Sequence, residues 1–363
     1  MQRIGGVSRS FAEIISRLPK FDAMPVVAVK GTDNVYLNQL LRDEETGLSP
    51  ISRLAVRLKQ ASWWRFHSWR TVNLAYSRNV LERGDFDLLH ATFFNPYFLP
   101  LLNGKPFVLT IHDMIPETYP QLFPDHVAEC RDKKLLAQKA SAIVAVSEYT
   151  KKRIVELLGI DEQKVAVAYH GADSPQPAHD YGPNEFGDYL LYVGDRRDYK
   201  NFQPFVEASL PVLLRHPSLR IVCAGMRFTN QETLFFRKLG IEGRMVHVFA
   251  ASDSVLSNLY HHALAFVYPS MVEGFGIPVL EAWRAGCPVA LNRASCFPEI
   301  AGEAAVWFSM QDGSLTQKLE ELVTLSLSSR ARLVEKGYER LKLYSWEKSA
   351  SRLAALYKRI LEK

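Results

Sequence analysis

The fold of this chain is decided by the stretch Glu273-Gly274-Phe275-Gly276-Ile277-Pro278-Val279-Leu280-Glu281. It directly follows an apolar run, residues 263–268, that is typical of a buried strand. Pro278 suits the first turn of a helix, because its fixed φ is helical and its missing N–H would have no partner there. The stretch therefore predicts a strand–loop–helix unit, with Glu273 on the loop and Glu281 about one turn into the helix.

These two acidic residues have two interpretations. In parallel α/β folds, the loops at the carboxyl ends of strands form the crevice that binds ligands. A helix start there offers free N–H groups and a positive dipole end to a phosphate, and two carboxylates can hold sugar hydroxyls. The site would then suit a nucleotide-sugar. Acidic residues also favour helix N-termini without any function, and the spacing alone leaves both interpretations open.

The rest of the chain alternates short apolar runs with helical stretches, which predicts parallel α/β units. A loop rich in Pro, Asp and Gly, residues 173–187, separates two such series and is the best candidate linker. We therefore expect two doubly wound domains with a cleft between them. The predicted strands are 25–29, 88–92, 107–111, 142–147, 165–169, 189–194, 220–225, 245–249, 263–268, 288–291 and 305–308.

Composition limits the class of protein. The 363 residues fit two domains, and 47% hydrophobic with 23% charged residues is usual for a globular protein. No apolar run reaches the length of a spanning helix, and the four cysteines lack metal-ligand spacing, which favours a reduced, cytoplasmic protein. The net charge of +5 is mild, and no nucleic-acid-binding motif accompanies it, so no nucleic-acid partner is expected.

The segment 268–282 resembles the E-x7-E signature of retaining GT-B glycosyltransferases of glycosyltransferase family 4. The resemblance implies an α/β fold of two Rossmann-like domains facing each other across a cleft. It implies an N-terminal acceptor-side domain over 1–175, a nucleotide-sugar-binding domain over 188–344, and a C-terminal helix over 345–363 that crosses back to the first domain.

The resemblance also implies roles for the signature residues. Glu273 would contact the transferred sugar, and Glu281 would bind the ribose hydroxyls. The amides around Gly274, Phe275 and Gly276 would line the sugar and the diphosphate.

A Gly5-Gly6 turn before a predicted helix, residues 10–18, resembles the family's Gly-Gly-(Ile/Val)-Ser-Arg loop. It implies donor-binding roles for Gly5 and Gly6, and a contact of Arg9 with the diphosphate from across the cleft. Family members carry an apolar strand before this loop, whereas only four residues precede it here. We therefore expect a fuller protein with roughly ten or more additional N-terminal residues.

A basic loop follows the predicted strand 189–194 and contains Arg196, Arg197 and Lys200. Such residues either clamp a diphosphate or form a solvated charged turn. By resemblance to one branch of the family, Arg196 and Lys200 are catalytic. Other branches place an Arg directly after the Gly, where this chain has Asp195, and Arg197 is a rival to Arg196.

His112 ends a predicted strand, in Ile111-His112-Asp113-Met114. It is either a structural turn residue or a hydrogen-bond donor to the transferred sugar. The family frequently has a His-Asp pair at this junction, near the donor sugar, so the resemblance implies a catalytic role. His90 is expected nearer the acceptor.

No metal site and no cofactor are expected. Asp85-Phe86-Asp87 spells the D-x-D metal motif of a different glycosyltransferase class, but it opens directly into an apolar run, which favours a strand-entry turn. By resemblance, Arg, Lys and a helix dipole replace the divalent ion.

The segment 51–81 carries six Lys or Arg, three Trp and no acidic residue. Such a basic helix either binds an anionic membrane surface or packs its aromatic residues inward. The first interpretation predicts peripheral contact with the inner face of the plasma membrane and fits a lipid-linked acceptor.

The resemblance thus implies retaining, metal-independent transfer of a hexosyl group to a glycan or lipid-linked acceptor. Phe93-Phe94-Asn95-Pro96 and the His-Asp-Met junction look most like bacterial mannosyltransferases of surface polysaccharide synthesis, which favours GDP-mannose as the donor. The alternatives are a nucleotide-sugar epimerase or hydrolase on the same fold, and a non-catalytic nucleotide-sugar-binding subunit.

Overall fold

The computed structural model describes residues 6–45, 69–177, 181–249 and 252–362. These ranges contain two parallel sheets, each surrounded by helices, as the alternating apolar runs predict. Gly5 and the predicted membrane-contact residues 51–68 lie outside the described residues. Within the described ranges, no helix is both long enough and apolar enough to span a membrane.

The first sheet has four parallel strands in sequential order, so each strand pairs with the next one along the chain. Its central strands are completely buried, which explains their uninterrupted apolar sequence. The strands are β1 (Leu89–Ala91), β2 (Phe107–Ile111), β3 (Ala142–Ala145) and β4 (Val165–Val167).

The second sheet has six parallel strands in the order β10-β9-β8-β5-β6-β7. From β5 the chain builds β6 and β7 towards one edge of the sheet, and from β8 it builds β9 and β10 towards the other edge. The direction of strand order therefore reverses between the neighbours β5 and β8. Such a switch point opens a crevice at the carboxyl ends of both strands. The strands are β5 (Tyr189–Val193), β6 (Arg220–Ala224), β7 (Met245–Val248), β8 (Ala265–Tyr268), β9 (Val289–Asn292) and β10 (Val306–Phe308).

Helices cover both faces of the sheets. The α-helices of the first domain are Gly6–Ile15, Val35–Glu45, Trp69–Arg83, Ile115–Thr118, Val127–Lys139 and Glu148–Leu158. Those that follow are Phe202–Arg215, Asn230–Lys238, Asp253–His262, Ile277–Arg284, Phe297–Ala301, Ser314–Val323, Leu327–Leu341 and Trp346–Leu361.

The helix Trp346–Leu361 packs on the first domain although it follows the second domain in sequence. Its buried Trp346 and Leu353 share a core cluster with Val108 and Val144 of the first sheet. Gly171 makes the connection tight, because a Cβ there would stand 2.1 Å from the backbone nitrogen of Trp346. This helix therefore fastens the end of the second domain to the first.

One strand prediction is wrong. Residues 25–29 form no strand, and the side chains of Met24 and Val26 are 80% and 69% exposed. An apolar run becomes a strand only when a neighbouring strand accepts its backbone hydrogen bonds, and here the N–H of Val29 bonds instead to the carbonyl of Val27 two residues before.

Candidate active site

The switch point of the second sheet brings a lysine and a glutamate together. Lys200 lies on the loop after β5, and Glu273 lies on the loop after β8. The Nζ of Lys200 stands 2.6 Å from Oε1 of Glu273, with the two side chains only 13% and 10% exposed. Asn201, in the left-handed conformation (φ 52°), anchors the lysine loop by donating to the carbonyl of Pro269 at 2.9 Å.

Lys200 is a permanent cation in this position. Burial by itself would lower its pKa, but the neighbouring carboxylate of Glu273 outweighs burial, and the pKa is raised above its ordinary value. The ammonium also lies 5.5 Å from the centre of the Tyr268 ring. The site therefore keeps a fixed positive charge, out of solvent, beside a carboxylate.

Glu281 lies on the helix Ile277–Arg284, as predicted, and pairs with Arg9 of the first domain. The Arg9 Nη1 stands 3.0 Å from Oε1 of Glu281 and 3.7 Å from a carboxylate oxygen of Asp253. Burial raises the pKa of Glu281, and the charge of Arg9 offsets part of that effect. The two domains thus meet here through opposite charges.

The glycine loop between the two glutamates presses against the first domain. A Cβ on Gly274 would stand 1.8 Å from the carbonyl oxygen of His112, so only glycine fits. The carbonyl of Gly274 accepts hydrogen bonds from the hydroxyls of Ser147 at 2.6 Å and Thr150 at 3.1 Å. Phe275 is buried, with its ring centre 5.1 Å from that of His170.

His112 stands beside this loop with an unusual lack of partners. Neither ring nitrogen reaches solvent or has a hydrogen-bond partner among the described residues, and the ring packs against Phe11 and His170. Burial lowers the pKa of His112 to about 4, so the imidazole is neutral at pH 7. A buried polar group without a hydrogen-bond partner lowers stability. A ligand hydroxyl that hydrogen-bonds to the His112 ring would remove this cost.

Gly6 and Arg9 approach the donor-side helix from across the cleft. A Cβ on Gly6 would stand 3.1 Å from the side chain of Ile277, so the start of the first helix lies against the start of the helix Ile277–Arg284. That helix begins at Gly276 (φ 94°), which provides no side-chain cap for the free amides. A small pocket of about 20 Å³ lies alongside, lined by residues that include Arg9, Trp346 and Glu281.

Two family models match this chain in succession. The model described as glycosyltransferase family 4 matches residues 4–175, and the model described as glycosyl transferases group 1 matches residues 178–340. This chain is a family 4 glycosyltransferase with the GT-B fold.

Similar proteins agree with this assignment. The O-antigen chain mannosyltransferase RfbU of Salmonella typhimurium is 26% identical over 256 residues, covering 70% of this chain and 69% of that protein. The O-antigen chain mannosyltransferase B of Escherichia coli is 26% identical over 276 residues, covering 69% of this chain and 70% of that protein. The crystal structure of Anabaena HepE with UDP and glucose has a TM-score of 0.68 at 15% identity, covering 98% of this chain and 96% of that one.

Arg196 of this glycosyltransferase does not join Lys200 and Glu273. Its Nε stands 2.5 Å from Glu232, and its two terminal nitrogens donate to the carbonyls of Met226 and Arg227, each at 2.8 Å. The guanidinium also lies over the rings of Phe202 and Phe228. In this structure Arg196 holds a loop of the second domain in place.

The rival Arg197 does not face Glu273 either. Its side chain is 56% exposed and pairs with Asp195 at 3.0 Å. Lys200 is therefore the cation of the predicted basic loop that reaches Glu273.

Thr229 and Glu232 form a capping box at the start of the helix Asn230–Lys238, as the T-x-x-E pattern predicts. The pairing of Glu232 with the distant Arg196 cannot be read from such a local pattern.

His90 is fully engaged in the structure of the first domain. Its Nδ1 stands 2.5 Å from the Tyr357 hydroxyl, and its Nε2 stands 2.7 Å from the Thr110 hydroxyl. It thereby joins the first sheet to the C-terminal helix. Asp85 and Asp87 are exposed at the amino end of β1, opposite to the edge where His112 lies.

Sequence reasoning missed three contacts between the domains. The Tyr36 hydroxyl donates to Asp253 at 2.7 Å. Ser147 caps the helix Glu148–Leu158 through its hydroxyl, which also reaches Gly274 of the other domain. Glu299, to which sequence reasoning gave no role, bonds to the helix that Ser147 caps. Each pair is too far apart in sequence for any spacing rule to connect.

Proposed function

We propose that this glycosyltransferase transfers mannose from GDP-mannose, with retention of configuration and without a metal ion, to a glycan or lipid-linked acceptor of surface polysaccharide. The observation that carries the proposal is the buried Lys200–Glu273 pair at the switch point, opposite the unpartnered His112. The mannosyltransferase names of the two O-antigen relatives support the choice of sugar.

The charges of the site match the bond that must break. Cleavage of the anomeric C–O bond leaves negative charge on the departing diphosphate and positive character on the sugar ring. Lys200 and the uncapped start of the helix Ile277–Arg284 would stabilise the diphosphate. Glu273 would hold hydroxyls of the sugar, and neutral His112 would donate a hydrogen bond to it.

The remaining donor-side residues would bind the nucleotide. Glu281 would accept hydrogen bonds from the ribose hydroxyls once Arg9 turns towards the diphosphate. Gly6, together with the amides around Gly274 and Gly276, would allow the backbone to approach the donor closely. Each of these roles follows the family resemblance, and the distances across the cleft are compatible with them.

The deciding experiment is a donor panel read by nucleotide release, with and without an acceptor extract. GDP-mannose is compared with other GDP-sugars and with UDP-sugars, and the anomeric configuration of the product is read by NMR. Acceptor-dependent release supports the transferase. Release into water alone indicates a hydrolase, and tight binding without release indicates a non-catalytic subunit.

Replacing Lys200 by Ala should lower kcat by about a hundred- to a thousandfold, the effect of losing one preorganised charge donor in a dry site. The matched control is Lys238→Ala, because Lys238 is exposed at the end of another helix of the same domain. Glu273→Ala should cause a loss of similar size. If both variants fold and keep near wild-type turnover, the assignment of this pair is wrong.

Peripheral contact of the basic segment 51–81 with an anionic membrane belongs to the same proposal, because a lipid-linked acceptor would be presented there. The basic, tryptophan-containing composition of this segment supports the membrane contact. Co-sedimentation with vesicles containing anionic lipid, compared with neutral vesicles, tests it, and equal binding to both would remove it.

A further inference from the structure

Glu299 belongs to the second domain, yet its carboxylate is bound to the first. It lies on the short helix Phe297–Ala301. One carboxylate oxygen accepts from the backbone N–H of Glu148 at 2.7 Å, and the other accepts from the backbone N–H of Tyr149 at 3.0 Å. These are the first two residues of the helix Glu148–Leu158 in the first domain.

This helix start is capped from both domains. The first N–H groups of a helix have no partner within the helix. Ser147, just before the helix, accepts from the N–H of Thr150 at 3.0 Å. Glu299 accepts from the two N–H groups that Ser147 does not reach. The cap is therefore complete only while the second domain is in place.

The contact is electrostatically favourable. A carboxylate at a helix start interacts with the positive end of the dipole, and hydrogen bonds to a charged acceptor are stronger than neutral ones. Burial and the charge of Glu299 together raise the pKa of Tyr169, whose hydroxyl lies beside that carboxylate. The carboxylate of Glu299 therefore faces both the helix start and the Tyr169 hydroxyl.

The short helix that carries Glu299 is held in place by hydrogen bonds to its backbone. Arg340 donates to the carbonyls of Glu299 at 2.6 Å and Ile300 at 2.8 Å. The Tyr344 hydroxyl donates to the same carbonyl of Ile300 at 2.9 Å. The short helix is thus held by the helix Leu327–Leu341 and the residues just after it, and Glu299 acts from a rigid position.

The segment just before Glu299 also holds the loop that carries Glu273. The N–H of Glu273 donates to the Ser295 hydroxyl at 3.1 Å, and the Cys296 thiol lies 3.2 Å from the carbonyl of Phe275. From the opposite side, Ser147 donates to Gly274 in the same loop. The segment that ends in Glu299 and the facing helix start at Ser147 therefore hold both the Glu299 cap and the proposed donor-sugar loop.

We infer that Glu299 is a positioning residue, which sets the distance between Glu273 and His112 by capping the facing helix across the cleft. Its effect on turnover rests on the proposed function, whereas its effect on the joint between the domains does not. It touches neither reacting group, so it acts through the placement of the loop.

Three variants isolate the contact. Glu299→Ala removes both acceptors, and Glu299→Gln keeps one acceptor oxygen but no charge. Glu148→Pro removes the first facing N–H from the other domain. Proline is accepted at the first helical position, and the extended Ser147 (φ −157°, ψ 161°) suits a residue before proline. Glu303→Ala is the control, because Glu303 is exposed shortly after the same helix.

The nucleotide-free readout is hydrogen exchange of the amides in residues 149–152. Exchange should accelerate in Glu299→Ala, less in Glu299→Gln, and not in Glu303→Ala. Unchanged exchange in folded Glu299→Ala would overturn the inference whatever the donor proves to be. If Glu299→Ala does not fold, the Gln variant and Glu148→Pro give the same comparison.

The kinetic readout is kcat at saturating donor and acceptor, per folded molecule. We expect a loss of about tenfold for Glu299→Ala and about threefold for Glu299→Gln, the size of losing a helix cap. The double variant Glu299→Ala/Glu148→Pro should be no worse than Glu299→Ala alone, because both changes remove one contact. Losses that multiply, or an unchanged kcat, would show that Glu299 does not position the site. If no donor is turned over, accelerated exchange still supports the joint, and only the proposed function fails.

Discussion

At the scale of single residues, burial decides which groups of the site are charged. Lys200 stays protonated because Glu273 stands 2.6 Å away. Burial lowers the pKa of both His112 and His90 to about 4, and for His112 it outweighs the opposing charge of Asp113. At neutral pH Lys200 is therefore a cation and His112 is an uncharged imidazole, the state in which a histidine can both donate and accept a hydrogen bond.

These histidines predict an acid-sensitive fold. Between pH 6.5 and about 4 the unfolded chain binds a proton at each histidine and the folded protein does not, so stability falls as the pH is lowered through this window. From pH 7.5 to pH 5 the free energy of unfolding should drop by up to about 2 kcal/mol per histidine. Urea unfolding at the two pH values measures it.

The variant His112→Gln should show a smaller drop than the wild type, since glutamine does not titrate and the His112 ring has no hydrogen bond to lose. An equal drop in both proteins would show that the low pKa of this ring does not contribute to the acid sensitivity.

At the scale of elements, the reversal of strand order between β5 and β8 brings the loops of Lys200 and Glu273 together. The loops leave adjacent parallel strands at the same edge, so Lys200 and Glu273 meet although 73 positions separate them. The same geometry directs Arg196, four residues before Lys200, towards the loop after β6. Its pairing with Glu232 fastens the start of the helix Asn230–Lys238 to the loop after β5.

Arg196→Ala should therefore act first on stability. The partly buried Glu232 would lose its charged partner and keep only the Thr229 N–H, so the free energy of unfolding of the second domain should fall by about 2 kcal/mol. Hydrogen bonds from Arg196 and from the Thr229 N–H together outweigh burial and lower the pKa of Glu232, so this carboxylate is charged near neutral pH.

Chemical unfolding of Arg196→Ala, Glu232→Gln and the double variant measures the coupling. The double variant should lose much less than the sum of the single losses. Full stability of Arg196→Ala with abolished turnover would favour the catalytic role that the family resemblance implies.

At the scale of the whole molecule, the two domains meet at points where almost no space is left. The carbonyl of His112 lies so close to Gly274 that any side chain at this position would clash with it. The pairs Arg9–Glu281 and Tyr36–Asp253, and the Glu299 cap, hold the same face together. The proposed site draws residues from both domains, so it depends on one arrangement of the two sheets.

Gly274→Ala tests this dependence. The new methyl group would meet backbone atoms of His112 at 1.8 and 2.9 Å, which cannot rotate away, so the domains or the loop must shift. A misplacement of about 1 Å can cost a hundredfold in rate, and we expect a loss of kcat of about that size or more. Small-angle scattering should show a more open molecule, with circular dichroism unchanged.

Gly243→Ala is the control for this variant. Nothing lies within 4 Å of a Cβ at Gly243, and its φ is not positive. Wild-type turnover in Gly274→Ala would mean that the contact with His112 is absent in the working enzyme.

The hydrophobic pattern of the sequence was sufficient to predict most of the strands and the start of the helix Ile277–Arg284. The apolar runs predicted the strands of both sheets, because a buried parallel strand must be apolar on both faces. The exception, residues 25–29, shows that an apolar run also needs a partner. Pro278 and the glycines before it likewise predicted where the helix carrying Glu281 begins, since their conformational preferences are local.

By itself, then, the sequence determined the two-domain α/β architecture, the strand–loop–helix unit of Glu273 and Glu281, and the family. Only the tertiary structure decided that Lys200 reaches Glu273 while Arg196 binds Glu232, that Arg9 pairs with Glu281, and that Glu299 caps a helix of the other domain. The reason is physical. Backbone preferences and hydrophobic periodicity act over a few neighbouring residues, whereas a charge finds its partner through the packing of whole domains.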